Sequence, residues 1–196
     1  MADLSSARQQ QVVASSPLLR QLPPASRLVL RGGSQVLAAA ANALRLPHDE
    51  TPCRAVHNEV IASLWLGPDE RLLIGPAEDT AEMIDLLRQA LSGLPHSVVE
   101  TSHAQVALEL SGAQAAVALN TGCPLDLDLT VFPVDTCTRT VFAKAQIVLW
   151  RMGPETFRVE TARSFAPYVT KILALAAPGT AAGSGAGPTH PANAHP

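Results

Sequence analysis

Cysteine is scarce in this sequence of 196 residues, and the three present, Cys53, Cys123 and Cys137, form no CxxC or CxxH spacing. An odd number of thiols without metal-ligand spacing argues against both a disulfide framework and a zinc site, and points to a reducing cytosol. Charge is also sparse: 16% of residues are charged, the formal net charge is −3, and the cations are scattered. Nucleic-acid binding needs clustered Lys and Arg, so it is not expected. No apolar run approaches the ~18–20 residues that span a bilayer, and no basic stretch followed by an apolar core opens the chain, so neither a membrane span nor a secretory signal is expected. GxGxxG and GxxxxGK[ST] are both missing, which excludes the usual phosphate cradles for a flavin or nicotinamide cofactor held by this chain alone.

What is abundant is apolar surface. Apolar residues make up 47% of the chain. If ~150 residues are ordered, roughly 68–70% of the extended chain's surface is expected to be buried, enough without metals or disulfides. The organising pattern is Ile61-Ala62-Ser63-Leu64-Trp65-Leu66-Gly67-Pro68-Asp69-Glu70 followed by Arg71-Leu72-Leu73-Ile74, written again as Ile147-Val148-Leu149-Trp150-Arg151-Met152-Gly153-Pro154-Glu155 followed by Thr156-Phe157-Arg158-Val159. Each pairs strand formers across a Gly-Pro-acid segment, which reads as a β-hairpin. Before each hairpin stands a short strand ending in Gly32 or Gly112 and an Ala-rich helix; after each comes an amphipathic helix, Thr80–Leu91 or Phe165–Ala176. The fold class expected is therefore α+β, built from duplicated strand–helix–hairpin–helix units. Residues 26–177 are expected to form a single domain of two pseudo-repeats, about 26–95 and 98–177, between an amino-terminal arm, 1–25, expected to be flexible, and a tail, 178–196, expected to be disordered.

In the arm, rich in Ser and Gln, Val12-Val13 and Leu18-Leu19 are available to dock on a neighbour. Ser34 reads as the N-cap of a helix to about Leu44, and Leu46 to Val56 as a loop or edge strand. Asp79 and Glu82 read as a capping box for the next helix, whose buried stripe is Met83, Ile84, Leu87 and Leu91. Strands are expected at Arg27–Leu30, Val98–Thr101, Val106–Leu110, Cys137–Phe142 and Gln146–Trp150. Gly122 reads as the C′ residue of the second Ala-rich helix, and Ser164 as the N-cap of the last, with Pro167 in its first turn.

Candidate chemistry is thin. Ser102 and His103 are adjacent, so on a strand they face opposite ways and cannot share a proton; a capping or surface role is expected. His48 and His57 with Asp49, Glu50 and Glu59 read as a solvated polar loop ahead of a metal set, since no rigid spacing joins them. Asp126 and Asp128 share one side if extended, but read as a capped turn or an exposed strand face ahead of a catalytic pair. Trp65 and Trp150 read as core anchors. Arg31-Gly32-Gly33-Ser34 opens a helix whose backbone N–H groups are suited to an anion, without a phosphate-loop motif. No catalytic, cofactor-binding or metal residue is assigned.

Seven stretches together resemble the gamma subunit of heterotetrameric sarcosine oxidase: Leu28–Gly32, Leu64–Glu70, Gln105–Gly112, Gly122-Cys123-Pro124-Leu125-Asp126-Leu127, Cys137-Thr138-Arg139-Thr140, Val148-Leu149-Trp150-Arg151 and Arg163-Ser164-Phe165-Ala166-Pro167-Tyr168. The resemblance spans about Arg27 to Ala176. Two departures are Arg71, where the family often has an aromatic residue, and Ala104, where it has an arginine. The resemblance implies the fold of the folate-binding aminomethyltransferase amino-terminal domain and a structural, non-catalytic chain in a cytoplasmic complex that oxidatively demethylates sarcosine to glycine. It implies direct docking on the alpha subunit, with beta and delta subunits in the same complex. FAD, FMN, NAD, tetrahydrofolate and zinc would lie in partner subunits and no cofactor in this one. Alternatives are the equivalent subunit of a related N-methyl amino acid dehydrogenase and a stand-alone folate-binding protein of the same superfamily.

Overall fold

A computed structural model describes residues 18–176. The first strands, β1 (Leu18–Gln21) and β2 (Ala25–Gly32), lead into helix α1 (Ser34–Ala43). Then come β3 (Ala55–His57), β4 (Ala62–Gly67), β5 (Glu70–Pro76), a 3₁₀ turn (Ala77–Asp79) and α2 (Thr80–Ala90). The remainder is β6 (His96–Glu100), β7 (Gln105–Ser111), α3 (Ala115–Asn120), β8 (Cys137–Phe142), β9 (Ala145–Gly153), β10 (Thr156–Ala162) and α4 (Ala166–Ala176). The strands make two antiparallel five-stranded sheets, the first in the order β3-β4-β5-β2-β6 and the second in the order β1-β7-β10-β9-β8.

Both expected hairpins form, β4–β5 and β9–β10, each with a register shift beside its turn. Each sheet covers one face with helices and turns the other toward its companion. Leu28, Leu30 and Leu73 pack under α1 and α2 with Val36, Leu37, Met83 and Leu87. Leu108, Leu110, Ile147, Leu149, Phe157 and Val159 pack under α3 and α4 with Ala118, Leu119, Val169 and Leu173. The alternate residues meet between the sheets: Leu64, Leu72 and Ile74 of the first join Cys137, Val148 and Trp150 of the second. The layers thus run helix, sheet, sheet, helix. At one edge the sheets are stitched by backbone, with Arg54 bridged to Thr136 and the N–H groups of Ala55 and Cys137 donating to the carbonyls of Asp135 and Cys53 at 2.8 Å each.

Several local readings are corrected. Leu18–Gln21, assigned to the arm, is strand β1, paired with β7 from Leu18↔Ser111 to Gln21↔Leu108; its partner lies so far along the chain that no local pattern announces it. β6 in turn lies beside β2 in the first sheet, Val99 opposite Val29. Each two-strand step, β1 to β2 and β6 to β7, therefore carries the chain from one sheet to the other. Gly33, not Ser34, caps α1, and the Ser34 hydroxyl donates to Glu50 instead. Asp79 makes no side-chain cap, because a 3₁₀ turn already precedes α2. Gly122 holds the expected C′ place after the C-cap Thr121 of α3, and a Cβ there would also stand 2.9 Å from the Phe142 ring. The arm before residue 18 and the tail 178–196 lie outside the described residues.

Candidate functional site

Strand alternation decides which polar side chains face between the sheets. On β2, Leu28 and Leu30 point toward the helices, so Arg27, Val29 and Arg31 take the opposite face. On β10, Phe157 and Val159 do the same for the second sheet, leaving Arg158 and Glu160 inward. Arg27 Nε donates to Glu160 Oε2 at 2.7 Å and Arg158 Nε to Glu160 Oε1 at 2.7 Å. The Arg27 and Glu160 side chains are 2% and 1% exposed. A second group of the same composition lies at the open end of the sheets, where Arg31 Nη2 donates to Glu70 Oε2 at 2.6 Å and Arg139 Nη2 to Glu70 Oε1 at 2.7 Å. Each group sets two guanidinium charges on one carboxylate.

All four are charge-assisted bonds; Arg27–Glu160, between β2 and β10, and Arg139–Glu70, between β8 and β5, tie sheet to sheet, while Arg158 and Arg31 hold the same carboxylates from within one sheet. The Arg139 hydrogen bond, reinforced by that from Arg31, holds the Glu70 carboxyl below the usual carboxylate range. A carboxylate fixed in this way is a poor general base, because taking a proton would break the bonds that hold it. Beside the groups, the sheets diverge around a cavity of about 480 Å³ lined by Val29, Leu66, Leu72, Arg139, Val148 and Glu160. A smaller hollow of about 250 Å³ lies where the two sheet-to-sheet steps meet, lined by Pro23, Pro24, Arg27, Ser102, His103 and Arg163.

The sequence-derived candidates fall elsewhere or serve structure. The Ser102 hydroxyl accepts the Arg27 backbone N–H at 3.0 Å, and the His103 carbonyl accepts Arg163 Nε at 2.8 Å. His48 stands 3.3 Å from Glu50, whereas His57 stands 3.3 Å from Asp135, so the loop residues separate rather than converge. Asp49 accepts the Thr51 N–H, and bonding to Thr51 lowers its pKa. Among the described residues, no group of three or more His, Cys, Asp or Glu side chains is placed to hold a metal ion. Residues 125–129 are not a strand; Asp126 and Asp128 accept the N–H groups of Asp128 and Thr130 at 2.9 and 2.8 Å in successive turns. Trp150 is buried between the sheets, while Trp65 is only partly buried against the same cluster. Gly32 meets a packing demand, since a Cβ there would lie 2.5 Å from Val36 Cγ1, whereas Gly33 has open space around it. Arg71 is buried, which lowers its pKa, and donates to the Asp49 carbonyl at 2.7 Å.

Sequence reading missed the two Arg–Glu–Arg groups. The available signal was the alternation itself, since Arg27 and Arg31 share one register of β2 against Leu28 and Leu30, and Arg158 and Glu160 one register of β10 against Phe157 and Val159.

Two facing antiparallel sheets with helices outside define an α+β fold shared with glycine cleavage system aminomethyltransferase T from Bartonella henselae (TM-score 0.64, 15% identity, 85% of this chain and 47% of that one). At that identity the likeness concerns the fold alone. A family model described as "Sarcosine oxidase, gamma subunit family" matches residues 33–178, and the chain belongs to that family. It is 34% identical over 174 residues to sarcosine oxidase subunit gamma of Corynebacterium sp. strain P-1, covering 87% of this chain and 84% of the relative. To the Arthrobacter sp. protein of the same name it is 35% identical over 160 residues, 80% of this chain and 77% of the relative. The match to the gamma subunit of Corynebacterium sp. strain U-96 is shorter, 37% over 112 residues, and spans about half of that relative, 54%. A chain of the heterotetrameric sarcosine oxidase from Corynebacterium sp. U-96 in complex with pyrrole 2-carboxylate superposes with a TM-score of 0.78 at 29% identity, covering 87% of this chain and 89% of that one. No helix among the described residues is long and apolar enough to cross a membrane.

Proposed function

We propose that this chain is the gamma subunit of a heterotetrameric sarcosine oxidase and contributes structure, not chemistry, to a complex that oxidatively demethylates sarcosine to glycine. The observation that carries the reading is the likeness to a chain of such an enzyme over nearly the whole of both chains. The occupation of Glu70 and Glu160 by paired arginines supports the non-catalytic part, since these inward carboxylates are already spent on joining the sheets. In this reading the chain docks directly on the alpha subunit and shares a cytoplasmic complex with the beta and delta subunits. FAD, FMN, NAD, tetrahydrofolate and zinc are then held by partners, and no residue of this chain is catalytic, cofactor-binding or metal-ligating. The expected domain at 26–177, extended at its start to take in β1 at Leu18–Gln21, acts as one domain of two duplicated units, a view supported by the matching strand orders β3-β4-β5-β2-β6 and β8-β9-β10-β7-β1.

Co-expression with the candidate alpha, beta and delta subunits tests this. A stoichiometric, yellow complex that turns over sarcosine is the expected result. A stable monomer that leaves the assembly and activity of the other subunits unchanged overturns it.

A further inference from the structure

The mouth of the cavity between the sheets is apolar and positively charged at once. Its apolar rim is not closed over: Val99, on the edge strand β6 opposite the cavity-lining Val29, is 52% exposed, Val141, on the edge strand β8 opposite the cavity-lining Gln146, is 45% exposed, and Phe165 on the cavity wall is 43% exposed. Its charge is unbalanced. Glu70 receives Arg31 and Arg139 each through a single Nη2, and their side chains remain 58% and 37% exposed. Behind them Glu160 is shared by Arg27 and Arg158, and Arg158 Nη2 is buried without a hydrogen-bond partner among the described residues. Asp69, in the turn beside Arg31, is exposed, and Arg20 and Glu109 neutralise each other at 2.8 Å. A surplus of guanidinium over carboxylate at an apolar mouth selects a matching occupant by charge.

We propose that this mouth, bounded by Val99, Val141, Phe165, Arg31 and Arg139, is the face on which the partner subunit docks, and that the docking segment is apolar and carries a carboxylate. The inference rests on the proposed membership of a heterotetramer and adds to it which surface is used. The carboxylate completes the donor set of Arg139 and Arg31, while the apolar side chains cover Val99, Val141 and Phe165. The outer helix faces, where Leu86 and Val117 are 37% and 62% exposed, are not part of it.

The test uses the full chain co-expressed with the alpha, beta and delta subunits and measures its affinity for the assembled partners at several salt concentrations. Arg139→Glu, Val99→Asp and Val141→Asp are each expected to weaken assembly about tenfold or more, and Arg139→Glu to flatten or reverse the salt dependence. Leu86→Asp and Val117→Asp are expected to assemble like the unmodified chain. Circular dichroism melting of each variant separates lost docking from lost folding, and the two valine positions are exposed enough to keep the fold. Folded mouth variants that assemble normally, or helix-face variants that fail, overturn the docking face. An unmodified chain that ignores these partners overturns the heterotetramer reading as well, which distinguishes the two failures.

Discussion

Arg27 and Glu160 stand 133 positions apart in the chain and meet at 2.7 Å between the two sheets, with almost no solvent reaching either side chain. Removing one member of a buried pair outright strands the other charge, which typically destabilises by about 3–5 kcal/mol, but here Arg158 also donates to Glu160. Arg27→Met leaves Glu160 with Arg158 alone and is therefore expected to lower stability in urea unfolding by up to about 3 kcal/mol. The double variant Arg27→Met with Glu160→Gln should lose less than the two single losses combined, because the Arg27–Glu160 attraction is then counted once, while Arg158 loses its carboxylate in both Glu160 variants. Additive losses would show that the pair is not coupled.

Acid should unfold the protein partly through Glu70. Its carboxyl titrates lower in the folded chain than the ordinary glutamate value of 4.5, chiefly because Arg139 donates to it. A lowered folded pKa gives stabilisation that is present above the unfolded value and is lost as pH falls through the folded one. Stability should thus decline below about pH 4.5, and Glu70→Gln should make that part of the profile shallower while lowering stability at neutral pH. A Glu70→Gln profile parallel to that of the unmodified chain would contradict the assignment.

Trp150 fills the space between the sheets beside Leu64, Leu72, Cys137 and Val148. Truncation to alanine opens a cavity there and should cost about 3–5 kcal/mol. For a chain of this size each kcal/mol lowers Tm by about 2–4 °C. Calorimetry of Trp150→Ala should show such a shift, and an unchanged Tm would mean that the ring is not a packing element.

Gly32 sits where β2 meets α1, with Val36 already occupying the place of a side chain. Gly32→Ala must push Val36 or the helix aside, at about 1–3 kcal/mol. Gly33 has nothing within 4 Å of a built Cβ, so Gly33→Ala should be clearly milder. Comparing the two urea midpoints checks this, and equal losses would refute the packing argument.

Burial pushes the Cys137 thiol up to about 12. Reaction requires the thiolate, so Cys137 should resist alkylation in the folded chain near neutral pH, as should the buried Cys123. Cys53, only partly buried, should label first. Mass spectrometry after a short iodoacetamide pulse identifies the order, and early labelling of Cys137 would contradict its burial.

The elements written locally were legible in the sequence. Gly67-Pro68 and Gly153-Pro154 mark the hairpins, and the stripe of Met83 and Leu87 marks α2, because turn chemistry and periodicity are properties of neighbouring residues. What depends on distant partners was not. Leu18 and Leu19 carry no local hint of β7, and Ser34 turns from capping its helix to bonding Glu50, a competitor brought in by the fold. The charged groups between the sheets were hidden for a related reason. A residue such as Glu160 in an alternating strand ordinarily faces water, and only the closing of a second sheet over that face makes it interior.

The two steps that carry the chain from sheet to sheet leave the halves interlocked. Residues 18–94 retain β2 through β5 but lend β1 to a sheet they do not otherwise contain, and residues 96–176 lend β6 back. Severed near Pro95, the fragments should be unstable apart yet restore each other when mixed, which makes one cooperative melt the natural behaviour of the intact molecule.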